Sequence, residues 1–465
     1  MLHVREIAWR DPARAFAAWA DDPYVAWLDS AASDDPRGRY SYLCVEPFQV
    51  LAADEAGATL DGAPAGRDPF AALARELGRW RGEPGAAPVP FAGGAVGFLG
   101  YELGGCLERL PRRHPDDLGI PSLSFGFYDA VLAFDGAERR CWVLSSGFPE
   151  LDPEARRRRA EMRADAVLRR LGAAPAPGRP DAARPAAWRP ELSQPEYEAR
   201  VERVLDYIRA GDIFQANFTM RFLAPRPPGL RPEGAYLRLR EESPAPFAAY
   251  LGCGPRLALA SASPERFLRL GAEGRVETRP IKGTRPRHAD PGRDAAAARE
   301  LAASEKDRAE NLMIVDLLRN DLGRVAAVGS VRVPSLFEVE RFASVHHLVS
   351  AVEGRLRPGL GAVDLLRAAF PGGSVTGAPK LRAMEVIDEL EAARRGPYCG
   401  AVAWIGWDGA MDSSVVIRTL VITPERVVAQ AGGGIVADSD PAGEYEELLV
   451  KVAPLLRALG AVPPP

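Results

Sequence analysis

Disulfide chemistry and long apolar runs are what this chain lacks. It has five cysteines in 465 residues, Cys44, Cys106, Cys141, Cys253 and Cys399. The number is odd and no CxxC pair occurs, so a disulfide framework is excluded and free thiols in a reducing, cytoplasmic compartment are expected. No HExxH motif argues for zinc. No stretch reaches the ~18 apolar residues that would span a bilayer. The nearest, FAGGAVGFLGYELGG (91–105), is short, glycine-rich and carries Glu102. The N-terminus, MLHVREIAWRDPARAF, is charged from the start and has no apolar segment of a secretion signal. A net charge of −4 gives no general attraction to nucleic acid or to an anionic membrane, so neither is expected as a partner. The run RRRR (156–159) reads as a solvated helix face.

The rest is globular material. An apolar content of 47% and a charged content of 26%, over this length, allow one large domain or two to three smaller ones with a sizeable core. No internal repeat is visible. The clearest break is GAAPAPGRPDAARPAAWRP (172–190), a Pro/Ala-rich stretch without periodicity. It reads as a linker between an N-terminal region, 1–171, and a C-terminal region, 191–465. SQPE (193–196) then opens a helix with a capping box, followed by Tyr197, Val201, Val204, Leu205 and Ile208 at helical spacing. Short strand-like runs come next, among them FQANFTMRF, LALASASPERFLRL, RVETRPIKG, GAVAWIGW, SSVVIRTLVI and RVVAQAGGGIV. Helices are expected over 294–321, after GGSVTGAPK (372–380) with Pro379 in the first turn, and over 442–459. The mixture is neither all-β nor a regular βαβ alternation, and it predicts an α+β protein with large antiparallel sheets.

Several segments carry chemistry. TRPIKGTRPR (278–287) holds one lysine, Lys282, in a frame of prolines and glycine, with Arg279, Arg285 and Arg287 around it. Asp307 and Glu310 lie three apart on one helix, and Glu444 and Glu447 three apart on another, with Lys451 four beyond. Two carboxylate pairs suit a hard cation such as Mg2+. Acids three apart are common, so the spacing alone favours an exposed acidic helix face while leaving the metal reading open. GGSVTGAPK can present backbone N–H groups to an anion but is no P-loop. AGGGIV (431–436) can bring bare backbone close to a carboxylate. Arg418 interrupts an apolar run and needs a carboxylate, either internal or a ligand's. His346 and His347, adjacent on a strand, would point opposite ways and make a poor metal pair.

Taken in order, GDIFQANFTMRF (211–222), SASPERFL (261–268), RPIKGTRPR (279–287), AENLMIVDLLRNDLGRV (309–325), SVHHLVS (344–350), PGGSVTGAPKLRAMEVIDELE (371–391), AGGGIVADSDP (431–441) and EYEELLVK (444–451) resemble the chorismate-utilising enzymes. That family includes anthranilate synthase component I and aminodeoxychorismate synthase component I. GGAVGFLGYEL (93–103) extends the resemblance to the N-terminal region. The resemblance implies two large, mostly antiparallel β-sheets packed as a sandwich with flanking helices. It also implies chorismate as substrate, Mg2+ as cofactor, and a separate glutamine amidotransferase subunit supplying ammonia, because no glutaminase half is recognisable in this chain.

Within the family the residue after PI sorts the reactions. Anthranilate synthases usually carry Ala there, and aminodeoxychorismate synthases of the common bacterial type carry Lys. Lys282 thus implies amination at C4 for folate synthesis, with anthranilate synthesis as the alternative. Isochorismate synthases carry a lysine where this chain has Gln215. By the same resemblance Lys282 would add to C2 of the ring, for which it must be neutral; desolvation and neighbouring cations would favour that. Glu265 would protonate the departing hydroxyl. Glu310 and Glu447 would bind Mg2+, with Asp307 and Glu444 lining the same site. Thr284, His347, Thr376, Tyr398, Arg418, Gly434 and Lys451 would hold the substrate. Ser30, Arg39, Tyr40, Pro246 and Phe247 match a tryptophan pocket of the family, expected here as a structural or vestigial site.

Overall fold

The computed structural model describes residues 2–32, 35–82, 87–174, 187–342 and 345–461. Most of the stretch read as a linker, 175–186, lies outside the described residues. Two 12-stranded sheets dominate the fold. The first runs His3–Ile7, Arg140–Ser145, Ala130–Asp135, Tyr40–Cys44, Ala26–Asp29, Phe247–Gly252, Ala258–Ser263, Thr419–Ile422, Arg426–Ile435, Gln215–Pro225. The second runs from Ile281–Pro286 through Val345–Arg355, Arg275–Thr278, Arg266–Leu270, Met411–Val415, Ala401–Gly406, Gly94–Leu99 and Leu123–Tyr128 to Gln49–Asp54 and its hairpins. The fold is α+β with large antiparallel sheets, as the sequence predicts.

Each sheet draws strands from both sides of the 172–190 break. Ala26–Asp29 pairs with Phe247–Gly252, and Gly94–Leu99 pairs with Ala401–Gly406. The two regions are therefore one packed body. Their strands are buried on both faces, and the pleat sorts their side chains into layers. Val96 and Phe98 enter a cluster drawn from strands of both sheets, whereas Ala95 and Leu99 pack with the helices outside the second sheet. Leu43 similarly faces the helices outside the first sheet, with Tyr42 and Cys44 facing between the sheets. Full burial of an aromatic such as Phe98 stabilises the fold by ~1.5–3 kcal/mol.

The helices follow local chemistry. Gln194–Arg209 has the expected capping box, with Glu196 Oε2 accepting from Ser193 N at 2.8 Å, and it buries Tyr197, Val201, Val204 and Leu205. The single helix expected over 294–321 is two, Pro291–Ala303 and Glu305–Gly323. Ser304 divides them, because its hydroxyl caps the second helix by accepting from Asp307 N at 3.3 Å. Pro379 is the N-cap and not the first helical residue of Lys380–Leu390. The expected strand SSVVIRTLVI is also divided. Met411–Val415 belongs to the second sheet and Thr419–Ile422 to the first, with Arg418 at φ +50° in the crossing between them. The arginine run 156–159 is only partly solvated: Arg156 stacks on Phe148 and donates to Ser146 O, and Arg159 donates to Phe148 O. Among the described residues all five cysteines are free, and no helix is long and apolar enough to cross a membrane.

One polar contact ties the layers together. Glu391 and Arg395, 4% and 1% exposed at their side chains, pair at 2.7 Å. Glu391 accepts from the N–H and hydroxyl of Thr219, while Arg395 donates to Val375 O at 2.8 Å and Asn217 O at 2.5 Å. Strand 215–225 and loop 372–378 are thereby pinned to the end of a helix. Removing one partner strands a buried charge and two carbonyls. Arg395→Met is expected to cost ~3–5 kcal/mol, read as a lowered urea midpoint, and Glu391→Met in the same chain should restore part of it.

Candidate active site

The edge strand Ile281–Pro286 is irregular. Its pairing with Val345–Arg355 shifts register between Ile281 and Thr284, and Gly283 in the shift has φ +81°. A side chain at 283 would also strike Asp307 Cγ at 2.7 Å and Leu301 Cδ1 at 2.8 Å. This local break takes Lys282 out of the ordinary alternation. Its Nζ reaches the first sheet, 3.6 Å from the point where a Cβ on Gly434 would stand. Gln215 Nε2 lies 2.2 Å from that same point. The neighbouring Gly433 is bare beside Glu444 Oε2 at 2.8 Å, Lys451 Nζ at 3.7 Å and Glu447 Oε1 at 3.9 Å. Hence both sheets contribute to one site, and the glycines of strand Arg426–Ile435 allow the approach.

Burial raises the pKa of Glu265, against the pull of a Ser374 hydrogen bond and of the Lys282 and Arg37 charges. A carboxyl that keeps its proton above the ordinary range can act as a general acid. Burial likewise raises Glu310, opposed by Lys282 and Lys306 and reinforced by Asp307 and Glu447. Glu444 is raised by burial too, despite accepting from Ser439 Oγ at 2.6 Å, with Glu447 adding repulsion. In Glu447, burial is outweighed by Lys451 at 2.6 Å, with Lys306 and Lys282, and its pKa falls. Glu447 thus raises both Glu310 and Glu444, a repulsion that the positive charge of a divalent cation would relieve. Among the described residues no three acids or histidines enclose a cation. An open arrangement still suits Mg2+, which keeps water or substrate oxygens. Asp307, beside Glu310, also pairs with Arg285 at 3.2 Å.

The structure brings most of the remaining sequence candidates near this centre. Thr284 Oγ1 and His347 Nδ1 are 2.9 Å apart. Burial, then Arg37 and Arg418, hold His347 down to about 4, so its ring is neutral at physiological pH. His346 points the other way, fully buried on Asp294 at 2.9 Å. Arg418 has no ion pair among the described residues and is open to a ligand carboxylate. Lys451 Nζ also donates to Gly432 O at 2.9 Å. Thr376 is fully buried, and its hydroxyl donates to Gly372 O at 3.0 Å. Tyr398 is buried under the influence of Arg395 and Glu391. The arginines expected to press on Lys282 are matched by carboxylates, Arg279 by Glu340 and Arg285 by Glu300 and Asp307, and the nearby Arg287 pairs with Asp294. They are not free cations beside the amine.

Ser30, Arg39, Tyr40, Pro246 and Phe247 line one cavity of about 870 Å³. Arg37, from the same RGRY segment, lines it as well, stacks on Phe342 at 4.4 Å, and acts on both Glu265 and His347. Sequence reasoning assigned that segment to the cavity alone and missed its reach into the centre. Ser374 and Lys306 were missed too. The signal for Lys306 was composition: the chain has four lysines among 59 basic residues, and Lys282, Lys306 and Lys451 all act on Glu447.

A family profile described as chorismate binding enzyme matches residues 27–457. Aminodeoxychorismate synthase component 1 of Klebsiella aerogenes is 42% identical, over 97% of this chain and 98% of that one. Anthranilate synthase component 1 of Streptomyces coelicolor is 41% identical, over 96% and 86%. The crystal structure of anthranilate synthase component I from Streptococcus pneumoniae superposes with a TM-score of 0.80 at 34% identity, over 90% of this chain and 92% of that one.

His347 gives a pH test. Its pKa is depressed in the folded state, so its contribution to stability is complete above the unfolded value of 6.5 and is lost as pH falls toward 4. Between pH 7 and pH 5 the parent chain should lose ~1–2 kcal/mol through this group. A His347→Gln variant should show a correspondingly smaller drop in Tm over the same range.

Proposed function

The chain belongs to the chorismate-binding enzymes, and from that membership we propose that it is the chorismate-aminating component of an aminodeoxychorismate synthase, making 4-amino-4-deoxychorismate for folate synthesis. Relatives of both names stand at similar identity, 42% and 41%, and the aminodeoxychorismate synthase matches over more of its own length, 98% against 86%. The observation that carries this reading is Lys282, whose amine projects to the bare face of Gly434 between the two sheets.

Arg418 and Lys451 would take the carboxylates of chorismate, and neutral His347 with Thr284 would orient its ring by hydrogen bonds. Lys282 Nζ adds to C2. The ring electrons shift, the C4–O bond breaks, and Glu265 gives its proton to the hydroxyl, which leaves as water. Ammonia then adds at C4, Glu265 takes back a proton, and the C2–N bond to Lys282 breaks. Glu310 and Glu447, with Glu444 beside them, would hold Mg2+, which when bound neutralises substrate carboxylate charge. The component naming of the relatives supports a partner chain, and the ammonia would come from such a chain hydrolysing glutamine. The cavity at Ser30 and Phe247 has room for a tryptophan-sized molecule; a rise in Tm on adding tryptophan would reveal occupancy, and no rise would count against a site.

Two measurements test the reading. Chromatography of the product from chorismate, Mg2+ and ammonia should show aminodeoxychorismate, and an anthranilate product would refute it. Without ammonia, intact-mass spectrometry should show an adduct at Lys282 that Lys282→Ala lacks. For the cation, Glu310→Gln and Glu447→Gln should each abolish the Mg2+ binding heat seen by calorimetry in the parent chain.

A further inference from the structure

We infer that Gln215 is a positioning residue for the Lys282 amine, an inference that rests on reading Lys282 as the nucleophile. Gln215 is fully buried, and neither Nε2 nor Oε1 has a hydrogen-bond partner. Among the described residues it is the one side chain with both polar atoms left so. Buried amides are as a rule satisfied, so a doubly unpartnered one marks a partner that comes with the reaction. The backbone cannot carry it away. Gln215 pairs with Ala378, Phe214 N donates to Ala378 O at 2.7 Å, and Asn217 N donates to Thr376 O at 2.7 Å. The amide is instead held against the bare face of Gly434, with Cδ at 3.1 Å and Nε2 at 2.2 Å from the absent Cβ, and Lys282 Nζ stands 3.6 Å from the same point.

The chemistry of the step says what an amide does there. When the Nζ lone pair forms its bond to C2, nitrogen becomes a secondary ammonium whose hydrogens need acceptors away from the ring. The Gln215 carbonyl can accept one and so fix the direction of the lone pair beforehand. A carboxylate at this place would favour the protonated, unreactive amine. An amide orients the nitrogen and carries no charge. With Oε1 turned to Lys282, Nε2 is left to donate to a substrate oxygen that comes within reach only once the C2–N bond has formed. Both orphaned atoms are then satisfied in the covalent intermediate and not in the unliganded chain.

The test uses the full chain with chorismate and Mg2+, without ammonia, and follows adduct formation at Lys282 by quenched mass spectrometry. Gln215→Met keeps the volume and removes the hydrogen bonds. The adduct should form ~10²-fold more slowly, as misplaced nucleophiles do. Chorismate affinity by calorimetry should hold, and Tm should not fall, because an unpartnered amide has been removed. Gln215→Leu serves as the second variant should Met not fold. In a second assay with ammonia supplied, the same substitution in a Lys282→Ala background should lower the residual amination no further, since the residues act as a pair. Undiminished adduct formation in Gln215→Met, a loss explained wholly by weaker chorismate binding, or additive losses with Lys282→Ala would each overturn the inference. Absence of the adduct in the parent chain would overturn the Lys282 reading itself, a result distinct from these.

Discussion

A side chain at Gly434 would displace the Gln215 amide and one at Gly433 the Glu444 carboxylate, and the site depends on both positions staying bare. One glycine lets an amide and an amine close in on the strand, and the next gives the same access to two carboxylates and a second lysine. A glycine within a strand costs ~0.5–1 kcal/mol relative to alanine. The strand tolerates it because it is fixed by a full ladder to Gln215–Pro225, with Gly434 opposite Asn217 and Gly433 opposite Phe218. Rigidity is supplied by pairing, and space by missing side chains.

Around this strand the fold brings two sheets to one place. Lys282 and His347 stand on the second sheet, Gln215 and Gly434 on the first, and Arg418 in the crossing between them. The Glu391–Arg395 pair fixes the rear of the same region. Its burial separates it from surface pairs such as Arg158–Glu154, which at 59% and 71% exposure contribute ~0–1 kcal/mol. The acids and lysines in front are left less completely neutralised, which suits a surface that must accept a charged ligand and release it.

Much of this was legible in the sequence. Alternation and turn residues marked antiparallel sheets, the capping box marked the helix at 194, and adjacency on a strand separated His346 from His347. The helix break at Ser304 was hidden because helical periodicity runs through it while a hydroxyl caps the second helix. The crossing at Arg418 was hidden because an apolar run reads alike whether it stays in one sheet or changes to another. Pairing of the arginines around Lys282 needs partners distant in sequence, such as Glu340, that no local pattern reveals. The scarcity of lysine was readable and telling: arginine does not give up its proton in proteins, so an amine that must be neutral to react has to be lysine.

The interleaving of the two regions bears on how the chain is made. Gly94–Leu99 leaves the ribosome long before its partner Ala401–Gly406, and at ~5–20 residues per second the wait is roughly 15–60 s. Ala26–Asp29 waits for Phe247–Gly252 in the same way. During translation both sheets therefore present open edges with apolar faces, and neither can close until its late strands emerge. A nascent chain of this design calls for chaperone cover through most of its synthesis, and release of an unfinished chain would hand the cell an aggregation-prone fragment in place of an independent domain.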